Sequence, residues 1–341
     1  MASRIATADA RRGLVVVNPT AGAVTAPLVD AVVTHCEKWL DAVEVSVTTS
    51  AADARDSVAG AVHTPGPGPR LHAVVAVGGD GTARAVAEGL ARGLGRWPAG
   101  AYRTSAGAGP ASPAPALVVV AAGTGNSCHR ALWGDRPWTE VVDEALGRPE
   151  CRVRELDRAR LVEGDVAILL GASTGFIAMV TEVALREFAT VPGRERYHRA
   201  MAAVLPEFAP YPGRVLVDDV PLHEGPTMLV TLGGARHRVG TFEVLPRSLL
   251  DDGLLDVCVV DGGLSPTGRM EVAALAATGQ HLGHPAVRYG QGRRVTIERC
   301  DGEPLLVEHD GEVRPGVGTR ATMVAVPGAV PVFAPDEPVA G

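Results

Sequence analysis

Lysine is almost absent from this chain. Lys38 is the only one among its 341 residues, and apart from the histidines every other basic side chain is an arginine. A Walker A loop requires a lysine after its second glycine, and a protein kinase requires one in a strand. Neither motif can be built from this sequence. Any phosphate group that the protein handles must therefore be neutralised by backbone N–H groups, by arginine or by a divalent metal ion.

Cysteine is scarce as well, and its five positions are scattered along the chain. The number is odd and no two cysteines are spaced as C-x-x-C, so the sequence predicts neither a zinc site nor a disulfide framework. Cys128 lies near a glycine-rich loop. We interpret it as a small packing residue in preference to a nucleophile.

Long hydrophobic runs and an excess of positive charge are also missing. No apolar run approaches the ~18–20 residues that a transmembrane helix needs, and residues 1–12 lack the apolar core of a signal peptide. The net charge of −7 argues against nucleic acid as the main partner and against tight docking on an anionic membrane. The expectation is a soluble cytoplasmic protein with at most transient membrane contact.

What the chain does have is glycine-rich junctions that follow apolar runs. Residues 73–77 are apolar, which is typical of a buried parallel strand, and they lead through Gly-Gly-Asp-Gly-Thr at 78–82 into helix-favouring residues. Glycine lets backbone N–H groups approach a ligand closely, and a helix N-terminus attracts anions. Asp80 lies inside this loop. We expect its carboxylate to position a metal ion, a water or an attacking hydroxyl.

The same kind of junction occurs twice more. The apolar run 13–17 enters Asn-Pro-Thr-Ala-Gly at 18–22, and the run 117–122 enters Gly-Thr-Gly-Asn at 123–126. Alternating strands and helices indicate a parallel sheet, and ligands bind such sheets at the carboxyl ends of the strands. One loop of this kind alone could be an ordinary strand–turn–helix connection. Three of them together favour a nucleotide or polyphosphate site.

The sequence pattern changes near residue 148. The later runs are short and mostly alternating, which predicts a β-rich antiparallel domain over residues 149–318 after an α/β domain with a parallel sheet over residues 1–148. Residues 175–189 are predicted to be helical. Residues 92–116 are interpreted as a mobile insertion, and a return of the C-terminal strand, within 319–341, to the first domain is left open.

Two acidic turns stand late in the chain, Asp-Asp-Gly-Leu-Leu-Asp at 251–256 and Glu-His-Asp-Gly-Glu at 308–312. Each one alone is more typical of a solvated β-turn, because Asp-Gly favours tight turns. If either turn faces the glycine loops, its carboxylates could bind a metal ion or act as a general base.

The order of these five motifs, from residue 14 to residue 326, resembles the diacylglycerol kinase catalytic-domain family, which includes bacterial soluble lipid kinases and the sphingosine and ceramide kinases. The resemblance implies an ATP-dependent kinase that phosphorylates a hydroxyl of a lipid or lipid-like alcohol. It also implies a three-layer nucleotide domain, a sandwich-like second domain and an active site in the cleft between them. The cofactors implied are ATP and Mg²⁺, and a homodimer is left open.

The resemblance also assigns roles to residues. Asp310 would be the general base, assisted by Glu312, and Asp80 would belong to the catalytic group. Asp252, with the backbone carbonyls of Leu249 and Leu254, resembles a structural Mg²⁺ site, while a second Mg²⁺ would accompany ATP. The residues that would contact the nucleotide are Asn18, Thr20, Gly22, Thr49, Gly79, Asp80, Gly81, Thr82, Thr124 and Asn126.

The chain departs from the family pattern at three places. Arg84-Ala85 replace the usual Asn-Glu pair, and Arg84 could substitute as a phosphate ligand. Ser127-Cys128-His129 replace an Asp-Phe type of pair, and residues 175–178 lack the acidic residue that an amino-alcohol acceptor would require. Two alternatives therefore remain. One is a kinase of a soluble alcohol, including an acceptor of the NAD-kinase type, and the other is a catalytically silent nucleotide-binding regulator.

Overall fold

The computed structural model describes residues 10–63, 68–97, 114–148, 151–193, 195–238, 242–314 and 317–335. The chain divides into two compact units, which are Met1–Leu156 together with Gly328–Gly341, and Asp157–Pro327. Most of the predicted insertion at 92–116 lies outside the described residues. Its first residues are described, and they continue a helix that ends at Gly93.

The first unit is an α/β domain whose strands are parallel. Its elements are β1 (Arg11–Val17), α1 (Ala26–Cys36), β2 (Ala42–Val47), α2 (Ala51–His63), β3 (Arg70–Gly78), α3 (Asp80–Gly93), β4 (Ala116–Ala121), α4 (Ser127–Trp133) and α5 (Trp138–Gly147). The strand order is β2-β1-β3-β4. Strands β1, β3 and β4 are valine-rich and almost entirely buried, as expected for strands covered on both faces.

The register of this sheet decides where the glycine loops lie. Val77 of β3 pairs with Val17 of β1 on one side and with Val120 of β4 on the other. These three strands therefore end at the same level, and the loops that follow them emerge side by side. This edge is the carboxyl end of the sheet, where α/β proteins bind their ligands.

The second unit is β-rich and antiparallel. Its elements are β6 (Val166–Ile168), β7 (Gly171–Gly175), α6 (Phe176–Arg186), α7 (Glu195–Val204), β8 (Tyr211–Val217), β9 (Val220–Gly233), β10 (Leu255–Asp261), α8 (Pro266–Ala276), a 3₁₀ turn (Gln280–Gly283), β11 (Val287–Gly292), β12 (Arg294–Arg299), β13 (Val307–His309) and β14 (Glu312–Arg314). Strands β5 (Val153–Leu161) and β15 (Arg320–Phe333) contribute residues to both units. The predicted fold class, a parallel α/β domain followed by an antiparallel β-rich domain, is confirmed.

The helix predicted over residues 175–189 is shorter than expected and is preceded by a strand. Gly175 ends β7, and α6 occupies Phe176–Arg186. The sequence of β7 shows no alternation of apolar and polar residues. Its Ser173 and Thr174 are polar, yet both are fully buried. Their hydroxyl groups are satisfied by Thr231 Oγ1 at 3.0 Å and Tyr211 Oη at 2.7 Å, respectively. A strand stabilised by such long-range polar contacts carries no hydrophobic period that could be detected in the sequence.

None of the helices in the described part of the chain combines the length and the apolar character needed to traverse a lipid bilayer.

Candidate functional site

The three glycine loops of the first unit are in direct contact. Asn18, at the end of β1, donates a hydrogen bond from Nδ2 to Thr82 Oγ1 in the first turn of α3, at 3.3 Å. The backbone N–H of Ala23 donates to the carbonyl of Ala122, which follows β4, at 3.1 Å. The loop after β1 therefore reaches both of the other loops.

Two glycines allow the other two loops to meet. A Cβ added at Gly123 would collide with the Cα of Gly79, and one added at Gly79 would lie 3.3 Å from the Cα of Gly123. The contact joins backbone to backbone, so no side chain could move aside to relieve such a collision. Gly79 is also the N-cap residue of α3, and glycine offers no side-chain acceptor to the first N–H groups of the helix.

Asp80 joins the second loop to the third. Its Oδ1 accepts a hydrogen bond from the backbone N–H of Cys128, in the first turn of α4, at 2.9 Å. A Cβ added at Gly125 would lie 2.6 Å from Asp80 Oδ2. The carboxylate thus stabilises the N-terminus of α4. If Asp80 also positions a metal ion, water or hydroxyl, as the sequence predicts, it must do so while it keeps this hydrogen bond.

The polar residues predicted to contact the nucleotide also shape the loops themselves. Asn18 Oδ1 accepts from Thr20 N and Oγ1 at 3.1 and 2.8 Å. Asn126 has a left-handed backbone (φ 52°), and its Oδ1 accepts from Gly123 N at 2.9 Å. Thr49 donates from N and Oγ1 to Asp53 Oδ2, which anchors it to the start of α2.

The remaining predicted contacts lie on the same three loops and on α3. Gly22 and Thr124 are exposed in the first and third loops, Gly81 is exposed in the first turn of α3, and Arg84 follows it one turn along the helix. Thr49 follows β2, which pairs in parallel with β1, and Thr48 N donates to the carbonyl of Val17 at 2.9 Å. The first unit therefore places all of the predicted nucleotide contacts at the carboxyl edge of its sheet or in α3.

The residues that depart from the family pattern point mainly inward. Ala85 is 4% exposed and Cys128 is 1% exposed, so Cys128 has the surroundings of a packing residue. His129 is buried, and its two ring nitrogens lie 2.9 Å from the backbone carbonyl oxygens of Val119 and Arg136. These three side chains contribute to the packing around α3 and α4 and leave the loop backbone as the exposed surface.

In the second unit, Asp310 and Gly311 form the tight turn between β13 and β14. Both have positive φ angles, 47° and 83°, which a type I′ hairpin turn requires. Strand β13 also pairs with β7, with His309 opposite Ala172. The turn therefore lies beside the start of β7. Glu312, the first residue of β14, is exposed.

The carboxylate of Asp310 is held by three backbone amides. Leu169 N donates to Oδ2 at 2.7 Å, while Leu170 N and Gly171 N donate to Oδ1 at 2.8 and 3.3 Å. A carboxylate has about four lone-pair sites. One acceptor position is thus left for a proton or a hydroxyl, and the carboxylate is fixed in orientation.

The acidic turn before β10 holds Asp252 in a different way. Its Oδ1 accepts from Leu254 N at 3.0 Å and its Oδ2 accepts from Gln291 Nε2 at 2.7 Å. Asp256 is buried nearby and accepts from Tyr289 Oη at 2.6 Å. Burial, together with the neighbouring charge of Asp252, raises the pKa of Asp256, and the hydrogen bond from Tyr289 opposes this shift.

The predicted structural Mg²⁺ site can be tested against this geometry. Each oxygen of Asp252 keeps a second lone pair, so one carboxylate could still serve a Mg²⁺ ion that retains several waters, as Mg²⁺ sites commonly do. Within the described residues no group of three or more histidine, cysteine, aspartate or glutamate side chains could hold a metal ion. A Mg²⁺ ion held here would therefore have one carboxylate ligand and would depend on backbone carbonyls and water for the others.

The second unit also contains an apolar cavity that the sequence did not indicate. Its volume is about 480 Å³, and it lies between α6, α7 and the segments around Tyr211 and Leu305. Apolar side chains on its wall include Met179, Val183, Val204, Phe208 and Leu305, and the charged ones are Glu187, Glu207 and Arg299. The guanidinium of Arg299 stacks over the Tyr211 ring at 5.6 Å. The apolar faces of α6 and α7 were the available sequence signal, but the wall combines three stretches of the chain that are distant in sequence, residues 175–187, 203–211 and 299–306.

Comparisons with known families agree with the order of these units. Residues 12–153 match the model of the diacylglycerol kinase catalytic domain, and residues 171–334 match the model of the YegS C-terminal NAD kinase beta sandwich-like domain. Together the two models account for most of the chain.

Individual relatives are distant. The chain is 24% identical over 240 residues to a protein named diacylglycerol kinase from Staphylococcus saprophyticus subsp. saprophyticus, covering 70% of each chain. It is 29% identical over 231 residues to a protein of the same name from Mycobacterium tuberculosis, covering 64% of this chain and 69% of that one. A solved structure of a diacylglycerol kinase from Bacillus anthracis str. Sterne aligns with a TM-score of 0.67 at 18% identity, covering 97% and 98% of the two chains. That similarity shows the fold.

Proposed function

Because the chain belongs to the diacylglycerol kinase catalytic-domain family, we propose that it is an ATP-dependent kinase that transfers the γ-phosphate to a hydroxyl of a lipid or lipid-like alcohol. The observation that carries this proposal is the contact of three glycine loops at the carboxyl edge of the parallel sheet, through Gly79, Gly123 and the Asn18–Thr82 hydrogen bond. Phosphoryl transfer depends mainly on positioning and on charge neutralisation, and backbone amides of these neighbouring loops would contribute to both.

The nucleotide is proposed to bind at these loops. Backbone N–H groups near Gly79, Gly81 and Thr124 would hold the phosphates, helped by the positive end of α3. Arg84 would supply positive charge in place of the missing lysine. A Mg²⁺ ion bound with ATP would neutralise charge on the phosphate oxygens.

Asp310 is proposed as the general base. Its remaining acceptor position would take the proton of the substrate hydroxyl while the alcohol oxygen forms a bond to the γ-phosphorus and the bond to ADP breaks. The three amide contacts from residues 169–171 support this role because they fix the carboxylate before the substrate arrives. Glu312 would assist from the neighbouring strand.

The acceptor is proposed to be a neutral alcohol with an apolar chain. The cavity of about 480 Å³ has a volume typical of small-molecule sites and is lined largely by apolar side chains. The first turn of α6 contains no acidic residue, which favours a neutral acceptor over an amino alcohol, whereas Glu187 and Glu207 supply carboxylates elsewhere on the cavity wall.

Asp252, with the carbonyls of Leu249 and Leu254, is proposed to hold a structural Mg²⁺ ion that is separate from the one bound with ATP. Metal analysis of the purified Asp252→Ala variant tests this assignment, since an unchanged Mg²⁺ content relative to the original chain would contradict it.

The function is tested by following radiolabel from [γ-³²P]ATP in the presence of Mg²⁺. The acceptors are dioctanoylglycerol in detergent micelles, glycerol and NAD, assayed separately. Label in the organic extract of the first reaction is the expected result. Label transferred only to glycerol or NAD would indicate a kinase of soluble acceptors, and nucleotide binding without transfer would indicate a silent regulator. Either result would overturn the lipid-kinase proposal.

A further inference from the structure

A buried ion pair lies directly behind the Asp310 turn. Arg238 Nη2 donates to Glu308 Oε2 at 2.8 Å, and the two side chains are 7% and 5% exposed. Glu308 lies in β13, and Arg238 follows β9, 70 residues earlier in the chain. Replacing such a pair by apolar residues of similar volume is often neutral or stabilising. Stability alone therefore does not explain why this unit contains it.

The pair contacts both sides of the turn. On one side, Glu308 Oε1 accepts a hydrogen bond from Gly311 N at 2.8 Å. On the other side, Arg238 Nη1 would lie 3.1 Å from a Cβ placed on Gly171. Gly171 in turn accepts from Asp310 N at 3.1 Å and donates to Asp310 Oδ1 at 3.3 Å. Glu308 thus contacts the residue after Asp310, and Arg238 lies beside Gly171, one of the residues that hold the Asp310 carboxylate.

The backbone of the turn needs such support. Both of its residues have left-handed φ angles, and Asp310, unlike Gly311, has a Cβ that disfavours this conformation. The hydrogen bond from Gly311 N to Glu308 stabilises the left-handed turn. Arg238 Nη2 donates to the other oxygen of the same carboxylate, so both oxygens of the buried Glu308 side chain are hydrogen-bonded and its orientation is fixed.

We propose that Arg238 and Glu308 are positioning residues, which hold the Asp310–Gly311 turn so that the Asp310 carboxylate keeps its orientation for proton transfer. This inference rests on the proposed function, because that function assigns proton acceptance to Asp310. Neither residue needs to touch the substrate. Their effect is exerted through Gly311 and Gly171.

The first test separates positioning from stability. The apolar double variant Arg238→Met/Glu308→Leu should fold with a melting temperature close to that of the original chain. Its kcat should fall roughly 10²-fold, the loss typical of a small misplacement in an active site, with an unchanged KM for ATP. Arg238→Met/Glu308→Gln keeps an oxygen that can accept from Gly311 N, with no guanidinium facing the new NH₂ group, and should recover most of kcat. An unchanged kcat in the apolar double variant would overturn the inference.

A matched control is the cross-strand pair Arg214–Glu224 of the same unit, which is exposed (44% and 65%) and remote in sequence from the turn. The double variant Arg214→Met/Glu224→Leu should keep both kcat and melting temperature. A loss of kcat in this control equal to that of the Arg238/Glu308 double variant would also count against a specific positioning role.

A second readout does not depend on activity. Amide hydrogen exchange, followed by mass spectrometry in the full chain, should become faster for peptides containing residues 169–171 and 311 in Arg238→Met/Glu308→Leu, and Arg238→Met/Glu308→Gln should largely restore protection. Unchanged exchange there would reject the positioning role whatever the kinase assay shows. Faster exchange in a chain that phosphorylates no alcohol would instead reject the proposed function and keep the structural role of the pair.

Discussion

At the scale of single residues, two aspartates hold their carboxylates against main-chain amides from distant segments. Asp80 accepts from Cys128 N, 48 residues later, and Asp310 accepts from three amides about 140 residues earlier. Hydrogen bonds to a charged acceptor are among the stronger ones in proteins. Both carboxylates are therefore fixed in place, and because both oxygens of Asp310 accept hydrogen bonds, an amide replacement there would turn its NH₂ group towards an N–H donor.

Asp310→Asn should lower kcat by roughly 10²–10⁴-fold, the usual contribution of a positioned base, and should change the Kd for ATP by less than about twofold. Label transfer and calorimetric titration measure the two quantities. Asp218→Asn is the matched control, because Asp218 has the same φ of 47° and accepts from Arg293 N and Arg294 N. The control should lose stability and keep kcat. Full turnover by Asp310→Asn would remove Asp310 from the base role.

The partial burial of His72 predicts that the folded chain loses stability in acid. Burial, with smaller contributions from the charges of Arg11 and Arg70, lowers the pKa of His72 from 6.5 to about 4, and its ring packs near Phe333. The unfolded chain takes up a proton below pH 6.5, whereas the folded chain does so only near pH 4. The contribution of the neutral His72 to the free energy of unfolding is therefore fully present above pH 6.5 and is lost progressively as pH falls towards 4. The free energy of unfolding should fall by about 1–2 kcal/mol between pH 7 and pH 5.

Urea denaturation followed by tryptophan fluorescence measures this change, since all four tryptophans lie within residues 1–156. The variant His72→Gln cannot titrate in this range and serves as the comparison. If its free energy of unfolding falls between pH 7 and pH 5 as much as that of the original chain, His72 is not responsible.

At the scale of elements, the spacing between the second and third loops depends on the absence of side chains. The Cβ of Gly123→Ala would meet the Cα of Gly79, and only backbone movement could relieve the contact. We expect the loops to separate and the Kd for ATP to rise roughly tenfold or more, with a lower melting temperature. Calorimetry with ATP and Mg²⁺ measures the affinity.

Gly60→Ala is the control for this loop variant. Gly60 lies in α2, and a Cβ there meets no atom within 4 Å. Alanine favours a helix over glycine by roughly 0.5–1 kcal/mol, so the control should be neutral or stabilising with unchanged affinity. Equal affinities for Gly123→Ala and Gly60→Ala would argue against nucleotide binding at the meeting point of the loops.

Helices α6 and α7 provide the wall of the apolar cavity, and their side chains should decide the length of the acceptor. Met179→Trp adds volume to a wall residue and should raise KM for long-chain diacylglycerols several-fold, leaving the KM for ATP unchanged. Met270→Trp, on the 66% exposed Met270 of α8, is the matched control. A KM series over acyl lengths tests this, and equal profiles for both variants would place the acyl chain elsewhere.

At the scale of the whole molecule, the division into two units predicts where nucleotide binding is detected. Saturating Mg·ATP at about 100 times its Kd stabilises the state that binds it by about 2.7 kcal/mol. Slower hydrogen exchange is expected in peptides of the first unit that contain residues 18–24, 79–83 and 123–128. ATP binding without protection in any of these three loops would show that the nucleotide lies elsewhere.

Much of the fold followed from local pattern. Valine-rich runs that end in small polar loops predicted the parallel strands β1, β3 and β4, and the alternating runs predicted the antiparallel unit. Residues 173–175 of β7 and helix α5 were not predicted. The small polar residues of β7 are stabilised by Thr231 and Tyr211, which lie far away in sequence. The assignment of nucleotide, base and metal residues stays a prediction, although the nucleotide residues of three loops lie together.

The sequence by itself determined that lysine-dependent phosphate loops are excluded, that glycine loops follow parallel strands and that Asp310 lies in a tight turn. Composition, hydrophobic period and turn chemistry are local properties, and these conclusions needed nothing more. Only the tertiary structure decided which groups the carboxylates meet: the Cys128 amide for Asp80, the amides of residues 169–171 for Asp310, and Arg238 for Glu308. Strand register and chain crossings set those partners, and neither is encoded in the spacing of any single segment.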